Sequence, residues 1–203
     1  MIVTRLEGGL GHQLFQYAAG RRLALARGVP LVIDRPAIDG NSRPYALGRF
    51  DINGQEAPPG ARAEFEADTF TQRLIRRMRG RRLVQEESPR FDPGILELPG
   101  RAYLDGHWQS EQYFADVADT IRGDLRWKTP PASWSSDLLA RIESGNAVSV
   151  HVRRGDRVSD PRAASIHGTC PVAYYRRAWR LIRERVREPW FRSEEHTSEL
   201  QSR

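Results

Sequence analysis

Residues 2–34 read IVTRLEGGLGHQLFQYAAGRRLALARGVPLVID, and the changes of pattern within them decide the fold. Residues 2–6 are a short run suited to a strand. Glu7-Gly8-Gly9-Leu10-Gly11 forms a turn, because glycine reaches backbone conformations closed to other residues. Residues 13–27, rich in Ala, Leu and Arg, predict a helix. Gly28 is a natural helix stop, and Pro30 follows it. Leu31-Val32-Ile33-Asp34 predicts a second strand. Strand, turn, helix and strand in that order are the opening unit of a Rossmann-like sheet, so the fold class is α/β.

Working outward, residues 35–65 are loop-rich, with Pro36, Gly40, Pro44, Pro58, Pro59 and Gly60. The stretch TQRLIRRMRGRR at 71–82 predicts a basic amphipathic helix. Residues 86–100 are broken by Pro89, Pro93 and Pro99. Ala102-Tyr103-Leu104 predicts a strand. A helix is expected at about 110–125, because Phe114, Val117, Ile121 and Leu125 fall on one helical face. Ser110 is its candidate N-cap. Pro130 and Pro131 mark a linker or domain edge. A short helix follows at 135–143, then a strand at 147–152 with Val148, Val150 and Val152 on one side. A polar loop is expected from 154 to 169. A helix at 171–187 comes next, with Pro171 in its first turn.

The chain has 203 residues, 39% of them hydrophobic and 29% charged. That suits a folded, soluble protein and excludes a disordered one. No apolar run reaches membrane-spanning length, and the N-terminus lacks the features of a signal peptide. A cytoplasmic location is therefore expected. Cys170 stands alone, so no internal disulfide can form, and the five histidines show no metal-ligand spacing. The net charge is +6, carried almost wholly by arginine, with Lys128 the one lysine. A basic chain of this kind favours an anionic partner, and the planar guanidinium suits phosphate. The arginine run 73–82 reads most simply as a solvated helix face. The alternative is peripheral contact with an anionic membrane at the inner face of a bacterial envelope.

Two motifs carry chemistry. Gly8-Gly9-Leu10-Gly11 sits between a strand and a helix N-terminus, where unpaired N–H groups favour an anion. Gly9 and Gly11 could border such a ligand, and so could an ordinary tight turn without one. Read as a dinucleotide fingerprint, the motif lacks its third glycine, which is Leu14 here, although Asp34 lies where a ribose-binding acid could sit. The second motif is His151-Val152-Arg153-Arg154-Gly155-Asp156, at the carboxyl end of the 147–152 strand. Ligands of open α/β sheets bind at such ends. Arg153 and Arg154 could neutralise a diphosphate, with Asp156 orienting one guanidinium. A surface salt-bridge cluster is the plainer alternative. Two other functions fit parts of the pattern. One is an NAD(P)-dependent Rossmann oxidoreductase. The other is a basic nucleic-acid-binding protein, against which stands the lack of any helix-turn-helix or RNP pattern.

Three blocks then carry a specific resemblance: GGLGHQLFQYA near the N-terminus, YLDGHWQSEQYF at 103–114, and HVRRGDRVSDPRAASIHGTCPVAYYRRA at 151–178. In content, order and separation they are similar to glycosyltransferase family 11, the bacterial and animal α-1,2-fucosyltransferases. The resemblance covers roughly residues 1–191. It implies a GT-B-like pair of Rossmann-like domains with substrates in the cleft. It implies transfer of L-fucose from GDP-β-L-fucose to the 2-hydroxyl of a galactose unit in a glycan, with inversion and without a metal or other cofactor. It places the pyrophosphate on Arg153, with Arg154 beside it and His151, Asp156, Gly9 and Gly11 as the further donor-side candidates. The attacking hydroxyl must lose a proton, and the candidates beside the glycine turn are Glu7 and His12.

The chain departs from the family at His12, where asparagine is usual, and at Arg157, where tyrosine is frequent. The later donor-binding motifs, an acidic stretch among them, are absent. Residues 192–203 differ abruptly from what precedes them and resemble translated adapter sequence. The expected organisation is thus a Rossmann-like domain at 1–143, an incomplete donor-binding domain at 144–191 and a non-native tail at 192–203. Such a chain would be an inactive fragment.

Overall fold

The computed structural model describes residues 1–35, 43–66, 82–129, 133–153 and 158–196. For residues 133–135, 153, 163, 166–167 and 194–196 it describes the backbone alone. The chain divides into two compact units, Met1–Pro130 and Pro131–Arg203. The division falls at the Pro130-Pro131 edge. The helix before residue 143 therefore groups with the second unit, not with the first as the 143/144 boundary would have it.

The first unit is a five-stranded sheet of β1 (Ile2–Arg5), β2 (Leu31–Asp34), β3 (Gln55–Glu56), β4 (Arg82–Gln85) and β5 (Ala102–Asp105). Their order is β3-β2-β1-β5-β4, and every pairing is parallel. Helix α1 (Leu10–Arg27) connects β1 to β2. This is the Rossmann-like α/β arrangement that the opening residues predict. The alternation of β1 explains why both faces are covered. Ile2 belongs to the larger core with Leu31, Ile33, Ala102 and Leu104, against Tyr17 and Leu23 of α1. Val3 points the other way, into a second cluster with Val32, Tyr103 and Phe65. A fully buried leucine such as Leu23 stabilises the fold by about 1.5–3 kcal/mol, so α1 is anchored mainly by its sheet-facing side.

The helix stops where expected. Gly28 adopts the left-handed conformation with φ 61°. Its N–H donates to the Leu25 carbonyl and that of Val29 to the Ala24 carbonyl, the paired bonds of a Schellman cap. Its start is earlier than the sequence predicts, at Leu10, so the helix begins inside the glycine turn.

Several expectations need correction. The single helix at 110–125 is three pieces: 3-10 turns at Glu111–Tyr113 and Ala115–Val117, then α2 (Ala118–Asp124). Its predicted face still packs, with Ile121 buried and Phe114, Val117 and Leu125 against the core. Ser110 caps as expected, accepting from the Gln112 N–H. The predicted basic helix lies outside the described residues except for Arg82, which opens β4. Strand β3 was hidden in the loop-rich stretch, where its exposed Gln55-Glu56 carries no apolar signal.

The second unit contains α3 (Ser133–Glu143), β6 (Ala147–Arg153), α4 (Pro161–His167), α5 (Val172–Arg185) and β7 (Trp190–His196). Strands β6 and β7 are parallel, from Ala147↔Trp190 to Arg153↔His196. Residues 192–196, set aside as tail by the sequence reading, are thus the continuation of β7. The expected polar loop at 154–169 contains α4, whose N-cap Asp160 accepts from the Arg162 N–H and is followed by Pro161 in the first turn. Pro171 stands at the N-cap of α5, one position before its first turn. None of the described side chains of this unit is buried. An open cleft of about 600 Å³ lies against β6 and α5, lined by Val148, Val150, Tyr175, Trp179, Ile182 and Phe191.

Candidate functional site

In the first unit, the sheet order places a topological switch between β1 and β5, with β2 and β3 on one side and β4 on the other. Crevices at the carboxyl ends of strands at such a point are the usual ligand sites of open parallel sheets. Glu7 follows β1, His107 follows β5, and His12 lies in the first turn of α1. These three come together. The His12 and His107 rings lie 4.7 Å apart between centroids, tilted by 34°. His107 Nε2 is 3.8 Å from Glu7 Oε1, and Arg5 Nη2 is 3.3 Å from Glu7 Oε2. Glu7 and His107 are both partly open to solvent, at 37% and 43% of side-chain exposure. The Nδ1 atoms of His12 and His107 and Nε1 of Trp108 are buried and find no hydrogen-bond partner among the described residues.

The local sequence explains this arrangement. Gly8 has φ 75°, and a Cβ there would fall 2.3 Å from His12 Nδ1. Only glycine lets the turn double back beneath the imidazole. Gly9 is the N-cap of α1 but offers no side-chain cap, and the first turn has no acidic residue. The N–H groups of that turn therefore keep their partial positive charge for an anion. Neither Gly9 nor Gly11 has an atom within 4 Å of where a Cβ would stand, so space borders both.

Buried glutamines hold the turns in place. Gln16 accepts from the Glu7 N–H at 3.0 Å and donates to the Gly106 carbonyl at 3.1 Å. It thus joins the turn after β1 to the turn after β5. Gln13 donates to the carbonyls of Gly8 and Pro44 and accepts from the Ala46 N–H. Tyr17 donates to Asp124 and accepts from the Asn53 N–H. Gln13, Gln16 and Tyr17 of the HQLFQY stretch are therefore internal fasteners. A buried glutamine left half-satisfied costs about 1–3 kcal/mol.

Asp105, at the end of β5, receives Arg5 at 2.9 Å and Arg62 at 2.7 Å. Burial pushes its carboxyl upward, but the hydrogen bonds from Arg5, Arg62 and Gln85 outweigh it and hold the group below its ordinary value. Asp34, the candidate ribose acid, is already engaged by the Tyr103 hydroxyl. Burial, followed by that bond, raises the pKa of Tyr103. This counts against the nicotinamide reading.

In the second unit, His151 and Arg153 lie in β6, with Arg153 its last residue, at the carboxyl end where the motif was expected. His151 is exposed, and its carbonyl accepts from the Tyr175 hydroxyl at 3.4 Å. Arg154 and Asp156 lie outside the described residues. Among the described residues no group of three or more His, Cys, Asp or Glu side chains could hold a metal ion, and no helix is long and apolar enough to cross a membrane.

The sequence missed His107 as a site residue, and also Asp105, Gln16 and Glu86. Glu86 accepts from the backbone N–H groups of His107 at 2.6 Å and Trp108 at 3.1 Å. One signal for His107 was available: it follows strand 102–104 as Glu7 follows strand 2–6.

Comparison with known proteins bears directly on these blocks. Residues 92–193 match the profile described as Glycosyl transferase family 11. An α-1,2-colitosyltransferase of Escherichia coli is 30% identical over 193 residues, covering 91% of this chain. The O-antigen biosynthesis glycosyltransferase WbnK of Escherichia coli is 43% identical over 42 residues. The chain spans 65% of the length of the first relative and 14% of the second. The crystal structure of the NodZ α-1,6-fucosyltransferase soaked with GDP-fucose aligns over 98% of this chain and 71% of its own. The identity there is 16% and the TM-score 0.43. A likeness at that score decides neither fold nor chemistry.

Proposed function

Because the chain belongs to glycosyl transferase family 11, we propose that it is the part of an α-1,2-fucosyltransferase that carries its first donor motif. The observation that carries this is the family match over residues 92–193, which spans the His151–Asp156 block. In this reading the chain belongs to a GT-B-like enzyme whose donor half begins near residue 131. Arg153 and Arg154 neutralise the diphosphate of GDP-fucose, with His151 and Asp156 beside them. The helix N-terminus at Gly9 and Gly11 offers a second anion-favouring edge. The galactose 2-hydroxyl attacks the anomeric carbon from the side opposite the leaving GDP, so the configuration inverts. The carbon–oxygen bond to the diphosphate breaks and its electron pair leaves with GDP. The hydroxyl proton goes to a base beside the glycine turn, Glu7 or His12. Arginines rather than a metal offset the leaving charge.

We place the reaction in the cytoplasm. Contact of the arginine run 73–82 with an anionic membrane face is an extension of the same proposal. A second donor is favoured by the 30% identity to the colitosyltransferase: colitose in place of fucose.

Calorimetric titration with GDP, GDP-fucose and nucleotide-linked colitose tests the site. The expected outcome is donor binding that weakens at least about tenfold, or 1.4 kcal/mol, in Arg153→Ala. Equal affinity in that variant would sink the assignment of Arg153. Preference between the two sugars decides between the donors.

A further inference from the structure

We infer that His107 is a positioning residue, which together with Arg5 holds the Glu7 carboxylate at the mouth of the crevice between β1 and β5. The inference rests on the transferase reading for its purpose, since it makes Glu7 the group that receives the acceptor's proton. Each Glu7 oxygen has its own neighbour: Oε2 faces Arg5 Nη2 at 3.3 Å, and Oε1 faces His107 Nε2 at 3.8 Å. The second distance is electrostatic contact, and a movement of under about 1 Å makes it a hydrogen bond.

Three further observations converge on this pair. The His107 backbone is fixed independently of its ring, because Glu86 takes the N–H groups of His107 and Trp108. Trp108, 1% exposed, is held there at φ 53°. A tryptophan in that conformation costs energy that the surrounding contacts must offset. Glu86 is thereby occupied with backbone donors, and Glu7 is the carboxylate left to the ring. Second, Gln16 fixes the distance between the two turns through Glu7 N–H and the Gly106 carbonyl. Third, His107 Nδ1 is buried without a partner among the described residues. A bare nitrogen is tolerated there more readily than an N–H, because an orphaned buried donor is the rarer and costlier defect. The ring proton then belongs on Nε2, facing Glu7. His12 has no such carboxylate neighbour among the described contacts, and its ring instead backs the His107 ring. In the proposed reaction the proton passes from the sugar hydroxyl to Glu7, while His107 donates to the other carboxylate oxygen and keeps its own proton.

The test uses the whole 203-residue chain with ¹⁵N-labelled histidine. The exchange rate of the His107 Nε2 proton with water is measured at pH 8, where an ordinary imidazole is neutral. The expected result is exchange about tenfold faster in Glu7→Ala than in the unaltered chain, the protection that one charge-assisted hydrogen bond supplies. Glu7→Gln, which keeps an acceptor oxygen, restores part of it. The amide spectrum of each variant shows whether the fold persists. Identical exchange in folded Glu7→Ala overturns the inference, whether or not donor binds. If GDP-fucose fails to bind the unaltered chain while the His107 protection follows Glu7, the assignment of the donor site falls and the pair stands.

Discussion

Asp105 shows how single residues of this site are tied to stability. Its side chain is 10% exposed and takes Arg5 and Arg62 at once. The native state therefore favours the ionised form more than the unfolded chain does. A depressed folded-state pKa contributes stability that is fully present above the ordinary aspartate value near 3.9. That stability is lost as pH falls through the lower folded value. Asp105→Asn should be less stable at pH 7 by about 1–3 kcal/mol, because two guanidinium groups lose a charged partner. It should also lose less of its remaining stability between about pH 5 and pH 2. Urea unfolding across that range checks both, and parallel curves for the two proteins would remove Asp105 as the source. Asp105 was not legible as a site residue in the sequence, and for His107 only its place after the 102–104 strand hinted at one. Each depends on a partner far along the chain, as with Arg5 and Asp105 or Glu7 and His107, and local pattern carries no sign of such pairs.

Among the elements, the β1–turn–α1 unit was the most legible, because its boundaries are written in backbone chemistry. Gly8 stands at φ 75°, and Gly28 at φ 61°. Gly8→Ala should destabilise the first unit by about 1–3 kcal/mol. It combines left-handed strain with a Cβ placed 2.3 Å from the His12 imidazole. The thermal midpoint and the His12 ring signals together check this, since a variant that keeps both would show the turn to be pliant. The helix at 110–125 was less legible. Its apolar spacing is helical, but Phe114 adopts φ −145° between two 3-10 turns. The packing of Tyr113 against Phe91 and Trp108 takes precedence over helical continuity there. Strand β4 went unread apart from Arg82, the last residue of the expected 71–82 helix, because Leu83 and Val84 are too short an apolar run to show a period.

Across the whole molecule, the two units differ in what they bury. Every side chain that is buried among the described residues lies between Ile2 and Ile121. The second unit keeps Val172, Tyr174, Trp179 and Leu181 exposed. A two-stranded sheet gains little stability without a packed face. We therefore expect the chain by itself to bind an apolar dye through the second unit and to give no fucosylated product from GDP-fucose and a galactoside. Product formation above the no-enzyme rate, measured by mass spectrometry, would refute the expectation of inactivity. The first unit is organised differently. Gln16 grips its two turns by main-chain atoms, the N–H of residue 7 and the C=O of residue 106. The N–H is present with any residue but proline at position 7, while position 106 must stay glycine, since a Cβ there would stand 2.4 Å from Glu86 Cβ. The spacing of the crevice is therefore inherited separately from its chemistry. Positions 7 and 107 form a socket whose occupants can be exchanged by mutation while the frame around them stays put.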